Sequence, residues 1–209
     1  MKAIPSSERR DGPPFSAIHR QRLLVSPLLI NLLRDTSTPI LVYLAEQHGL
    51  RRVPGLTRQA LVDRILRQLS EEALRRLEDE LIAARYGSLS VSDLLKLALE
   101  GDKQRHGRAP RLEDMPTDAA RLIEGDARHW VYTMHGYDVI IDLERRHLAC
   151  SCPFFQFASR RQALCKHLAR AFTLVPEVYA REALIDLLVS RGYGGPDTPG
   201  WSFDTPKAA

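Results

Sequence analysis

Cys150, Cys152, Cys165 and His167 are the residues of this 209-residue chain whose types and spacing could do chemistry, and the three cysteines are all it has. Residues i and i+2 of a strand share a face. Cys150 and Cys152, at the end of the strand-like run "HLACSCP", therefore present two thiolates side by side. Cys165 and His167 cannot share one direction inside a regular helix, because a two-residue step turns the side chain by roughly 200°. One of them must lie at or before a first helical turn, which suits a helix starting at "CKHLARAF". Twelve residues separate Cys152 from Cys165, enough for a loop to join the two pairs. Three thiolates and one imidazole form a closed tetrahedral donor set for structural zinc, one ion per chain. No position is left for the water of a hydrolytic zinc site.

Other readings of these residues are weaker. Buried cysteine packs as a small hydrophobe, but three in sixteen residues, with a histidine two further on, is an improbable gathering. A Cys-x-Cys redox pair would close a strained disulfide ring. A Cys165–His167 nucleophile pair has no third orienting group at a suggestive spacing. His147, three residues before Cys150, is the rival for the fourth ligand position. His167 is preferred because it completes two pairs of equal spacing.

Charge points the same way as the cysteines. The net charge is +4 with pI near 9.1, which permits a polyanionic partner without demanding one. Its distribution says more. Residues 1–70 carry eleven Lys/Arg against five Asp/Glu, and residues 71–100 carry four against seven. Residues 149–175 carry Arg160, Arg161, Lys166 and Arg170 with no acid, so the segment holding the cysteines is also the most basic. Nearby Phe154, Phe155 and Phe157 have two uses, covering the metal or stacking on bases.

The composition, 44% hydrophobic and 27% charged, is that of a globular chain able to bury a core. The opening "MKAIPSSERRDGPPF" has charge and proline where a signal peptide needs an apolar run. No stretch approaches the roughly 20 apolar residues of a membrane span. A cytoplasmic location is expected, nucleoid-associated if the source is bacterial, with cysteines kept reduced. There is no phosphate-cradling glycine loop and no Gly-x-Ser-x-Gly turn. The expectation is a protein that is not an enzyme and takes no small-molecule substrate.

The elements that must position these residues follow from period and caps. Residues 1–22 are polar, proline-bearing and aperiodic, and read as an arm. Residues 23–100 read as a helical region. Ser26 with Pro27, and Thr38 with Pro39, open two helices. Thr57 caps a third, with apolar residues at Leu61, Ile65, Leu66 and Leu69. Ser70 caps a fourth that stops at Gly87, and Ser90 with Asp93 has capping-box spacing for a fifth. Residues 101–117 read as a linker. "TDAARLIEG" reads as a short helix, after which "HWVYTM", "GYDVIIDL" and "HLACSCP" have strand composition. A helix at "CKHLARAFTLV" and an amphipathic helix at "VYAREALIDLLVSRG" complete a domain over 118–192. Residues 193–209 read as an extended tail. The fold class is α+β and mostly α: a helical N-terminal region, then a small hairpin-and-strand unit with helices.

The run "VYTMHGYDVIIDLERRHLACSCPFFQFASRRQALCKHLAR" resembles a SWIM zinc finger over about residues 128–174. That pattern is Cys-x-Cys, a variable loop, then Cys-x-His, behind two strands and ahead of a helix. The resemblance implies binding to nucleic acid or protein. It does not imply catalysis. A second segment, "PILVYLAEQHGLRRVPGLTRQALVDRIL", is similar to a SAP motif over about residues 39–69, a helix–extended loop–helix unit that binds DNA. Leu41, Leu44, Gly49 and Leu50 match its first half. Gly55, Arg58, Leu61, Arg64 and Ile65 match its second, with Arg58 where the family often has lysine. Arg51, Arg52, Arg58 and Arg64 are then candidate DNA contacts, beside a helix N-terminus suited to phosphate. A plain helical hairpin with solvated arginines is the other reading of this segment. The expected function is DNA binding, double- or single-stranded, largely through phosphates, as an accessory factor in a DNA-processing or transcription-related complex. The alternative is an adaptor whose finger recruits a larger machine, a Swi/Snf-type ATPase or a transposase.

Overall fold

A computed structural model of the chain describes residues 26–107, 109–111, 120–193 and 200–206. The arm expected at 1–22, residues 108 and 112–117 of the expected linker, and residues 194–199 and 207–209 of the tail lie outside them. The chain divides into two compact units, residues 1–78 and 79–209.

In the first unit, α1 (Pro27–Asp35) starts where the Ser26 hydroxyl accepts the Leu29 N–H at 3.2 Å, with Pro27 at the first helical position. A missing N–H costs nothing there. Leu29, Leu32 and Leu33 are its buried face. The cap of α2 (Thr38–Gln47) falls on Ser37, one residue before the expected Thr38. The helix ends at Gly49, whose φ of +82° lets the chain reverse while the Leu50 N–H bonds back to the Ala45 carbonyl at 2.9 Å. An extended loop leads to α3 (Arg58–Gln68), capped by the Thr57 hydroxyl on the Ala60 N–H at 3.2 Å, with Leu61, Val62 and Ile65 buried. α3 packs against both α1 and α2. Ser70 caps α4 (Glu71–Tyr86), which runs across the division between the units.

The second unit begins in the later turns of α4 and continues in α5 (Val91–His106), which carries the full capping box of Ser90 and Asp93. α5 ends at Gly107 and so extends six residues into the stretch expected as linker. β1 (Ala120–Gly125) replaces the helix expected over "TDAARLIEG". The run was expected to be helical, but pairing with β2 (His129–Met134) makes Ala120–Gly125 a strand. β2 alternates, burying Trp130, Tyr132 and Met134. His135 and Gly136 form the two-residue hairpin turn to β3 (Tyr137–Asp142), both at positive φ (51° and 77°), as such a turn requires. β4 (His147–Cys150) continues the antiparallel meander, with Val139 opposite Cys150.

Two short helices follow, α6 (Pro153–Ser159) and α7 (Lys166–Phe172), and then the long α8 (Glu177–Tyr193). α7 packs on β3 and β4, and α8 packs along α5. From the tail, β5 (Ser202–Asp204) pairs parallel to β4, so the strand order is β1-β2-β3-β4-β5. Trp201 beside it is buried and donates its indole N–H to Asp186 at 2.9 Å. The architecture is α+β and mostly helical, with the candidate ligands in the strand and helix region of the second unit.

Candidate metal centre

Each ligand is delivered by the end of an element. Cys150 is the last residue of β4, and Val139 opposite it fixes the direction of its side chain. Cys152 is the N-cap of α6, in extended conformation, with Pro153 fixing the first helical position. Cys165 is the N-cap of α7, and its sulfur accepts the Leu168 N–H at 3.5 Å. His167 is the second residue of that helix. The cap position is what lets Cys165 and His167 face one point, because the chain is not yet helical at Cys165.

The four donor atoms lie within 4.8 Å of one another, all four residues are buried, and no cysteine is in a disulfide. His167 turns Nδ1 toward the group, 3.8 Å from Cys150 Sγ. Bond lengths of about 2.3 Å to sulfur and 2.0–2.1 Å to nitrogen set tetrahedral ligand atoms roughly 3.5–3.8 Å apart. The arrangement therefore fits one structural zinc ion. Tyr137 tilts across the His167 ring at 5.2 Å between centroids and packs against it. His147, the rival ligand, faces elsewhere, with Nε2 at 3.5 Å from Asp204.

Electrostatics make the same case. Contacts with Cys152 and then Cys165, followed by burial, hold the Cys150 thiol above its ordinary range. The thiols of Cys150 and Cys165 hold Cys152 well below its own. Burial pushes Cys165 up to about 12. The cluster thus carries one thiolate readily and resists three. A dication at its centre reverses that balance, since a coordinating thiol is deprotonated outright.

The approach to Cys165 is held by a buried charge that sequence reasoning missed. Asp102 of α5 is fully buried and accepts the Leu164 N–H at 2.9 Å. Its other oxygen takes Arg105 at 3.0 Å and Arg191 of α8 at 3.3 Å. Arg191 also donates to the Gln162 carbonyl and lies over the Phe203 ring at 4.9 Å. Burial lowers the Arg191 pKa to about 10. Asp102 lies 62 residues from Leu164 and 89 from Arg191, beyond any local pattern.

The remaining candidates are placed as follows. Arg160, Arg161 and Lys166 are exposed, whereas Arg170 is half-buried and donates to Thr173 at 3.2 Å. Phe155 is fully buried, 6.4 Å from the Phe203 ring, while Phe154 and Phe157 are exposed. In the first unit Arg51 and Arg52 are exposed on the loop between α2 and α3. Arg58 instead donates to the Thr36 carbonyl at 2.7 Å, and Arg64 to the Arg51 carbonyl and Gln68, each at 2.8 Å.

A small meander closed by helices around three cysteines and one histidine defines a structural zinc-finger module. Residues 137–176 match the family model of the SWIM zinc finger, a span that holds all four ligands. No curated protein and no solved structure matches the chain. Among the described residues, no helix is long and apolar enough to cross a membrane.

Proposed function

We propose that the chain is a non-enzymatic DNA-binding accessory protein in which zinc holds a basic surface in shape. One observation carries this reading. Arg160, Arg161 and Lys166 are exposed around a buried ligand cluster, in a stretch of 27 residues, 149–175, without one acid. Cations fixed on a rigid scaffold neutralise phosphates and release counterions, which gives binding that is largely independent of sequence. Four protein ligands leave the metal no position for water or substrate, which supports a structural role. In the first unit, a SAP-like use of residues 39–69 adds Arg51 and Arg52 as further phosphate contacts. Such a protein works in the cytoplasm, on the nucleoid if the source is bacterial.

The test is a fluorescence-anisotropy titration of the zinc-loaded chain on DNA across a range of salt. Arg160→Gln with Arg161→Gln weakens binding to all sequences alike. It lowers the log–log salt slope by about 0.9 per lost contact on duplex, or about 0.7 on a single strand. An unchanged slope would sink the phosphate-contact reading.

A second reading, an adaptor recruiting a larger protein machine, has its own observation. Among the described residues, β1 is an edge strand carrying Leu122 and Ile123 at 53% and 55% exposure, with a bulge between Leu122 and Glu124. Exposed apolar residues on an edge strand suit strand addition by a partner. Co-purification of one stoichiometric partner, with no DNA binding, selects this reading.

A further inference from the structure

Beside the zinc cluster the second unit has an open groove of about 1390 Å³, bordered by Cys152, Cys165 and His167. Its volume exceeds the roughly 300–1,000 Å³ of a small-ligand pocket, and it is open to solvent. Among the described residues, the charged side chains along it are Lys96, Lys103, Arg111 and Lys166 against Glu100. Three of these cations come from outside the finger, from α5 and the residues just after it. Lys96 also faces Asp93 at 3.8 Å, an exposed pair of the kind that contributes little. Four cations to one anion in a concave surface focus positive potential on a polyanion.

The groove is lined with aromatic rings as well as charge. Phe154 borders it at 50% exposure, and Tyr137 and His135 form part of its wall. Phe157, at 69% exposure, lies one helical turn from Phe154 on the same face of α6. Phe155, between them, supplies the packing for α6, so the outer two are not required by the core. Duplex DNA hides the faces of its bases, whereas a single strand offers them for stacking between phosphate contacts.

We infer that this groove binds single-stranded DNA. Lys96, Lys103, Arg111 and Lys166 follow the phosphates, and Phe154 stacks on a base. The inference rests on the DNA-binding reading above and gives it a place and a strandedness. The zinc ion serves it indirectly, by fixing Cys152 and Cys165 and hence the starts of α6 and α7, which carry Phe154 and Lys166.

The experiment uses the full zinc-loaded chain and three labelled probes of equal length: an oligothymidylate, an abasic strand and a duplex. Zinc content is measured for every variant. The oligothymidylate is expected to bind tightest. Phe154→Ala weakens it on the order of tenfold and leaves the abasic strand unaffected, whereas Phe154→Tyr binds as the parent does. Lys103→Gln weakens both strands and lowers the salt slope by about 0.7. If Phe154→Ala and Lys103→Gln bind every probe like the parent while the Arg160/Arg161 variant weakens, the groove is wrong and the DNA-binding reading stands. Equal losses from Phe154→Ala and Phe154→Tyr, or a duplex bound more tightly than the strand, also overturn the groove. If no probe binds, the DNA-binding reading itself fails.

Discussion

The two units bury different things. Among the described residues, the polar and charged residues buried as a whole are Asp102, Asp142 and His167, and all belong to the unit of residues 79–209. The unit of residues 1–78 buries leucines with Ala45, Val62 and Ile65. Apolar burial is non-directional and tolerates repacking. A buried carboxylate or imidazole needs particular partners at particular distances, and its neighbours lose more when one partner goes. The first unit is therefore held by pattern, and the second by individual atoms. Single changes should affect the two very differently.

Metal removal is the most severe way to test that contrast. Structural zinc contributes apparent free energies on the order of 10–16 kcal/mol in small fingers. Chelation, or Cys165→Ser, is expected to remove one zinc per chain and abolish hydrogen-exchange protection in β3, β4, α6 and α7. Protection in α1 to α3 should persist, because these helices supply none of the four ligands. Elemental analysis and residue-resolved exchange on the same samples check this. Loss of protection in both units together would show that the contrast in burial does not govern stability.

The second test removes one buried partner and leaves the ligands intact. Asp102→Ala strands the Arg191 guanidinium, whose side chain is 6% exposed, and takes the acceptor from Leu164 next to Cys165. Removing one member of a buried pair costs about 3–5 kcal/mol. The variant is expected to lower the urea midpoint and lose zinc faster to a competing chelator. Asp102→Asn, which keeps an acceptor for the Leu164 N–H, should retain zinc better than Asp102→Ala. Zinc loss at the parental rate in Asp102→Ala would mean that the loop before Cys165 is held by other contacts.

The same contrast explains what could be read in the sequence. Helices α1, α3 and α5 were legible because Ser26, Thr57 and Ser90 declare their starts locally. The ligands were legible because so few residue types hold zinc and because two pairs of equal spacing must converge. The Asp102–Arg191 pair was not, because nothing within a helical turn of either residue requires the other. β1 was misread for a related reason. Leu122 and Ile123 are exposed on an edge, so no alternating buried face marks the strand, and only its pairing with β2 makes it one. α6 went unread inside the ligand loop, although Pro153 directly after Cys152 is the signal of a helix start.

The smallest expected effects separate the arginines of the first unit, which the sequence had grouped as DNA contacts. Arg51 and Arg52 extend from an exposed loop, while Arg58 and Arg64 hold that loop and the end of α1 by bonding the Arg51 and Thr36 carbonyls. A hydrogen bond of this kind contributes about 0.5–1.5 kcal/mol, with solvent-exposed ones toward the lower end. Arg58→Gln and Arg64→Gln should therefore each lower the urea midpoint slightly. Arg51→Gln with Arg52→Gln should leave it unchanged and lower the DNA salt slope by up to about 0.9 per residue. Both quantities are measured on the same three variants. If Arg58→Gln and Arg64→Gln shift the slope as much as the loop pair and leave the midpoint alone, their guanidiniums exchange carbonyl for phosphate on binding. The first unit would then, like the second, depend on individual polar atoms, and the division between pattern and atom would hold only for the protein free of DNA.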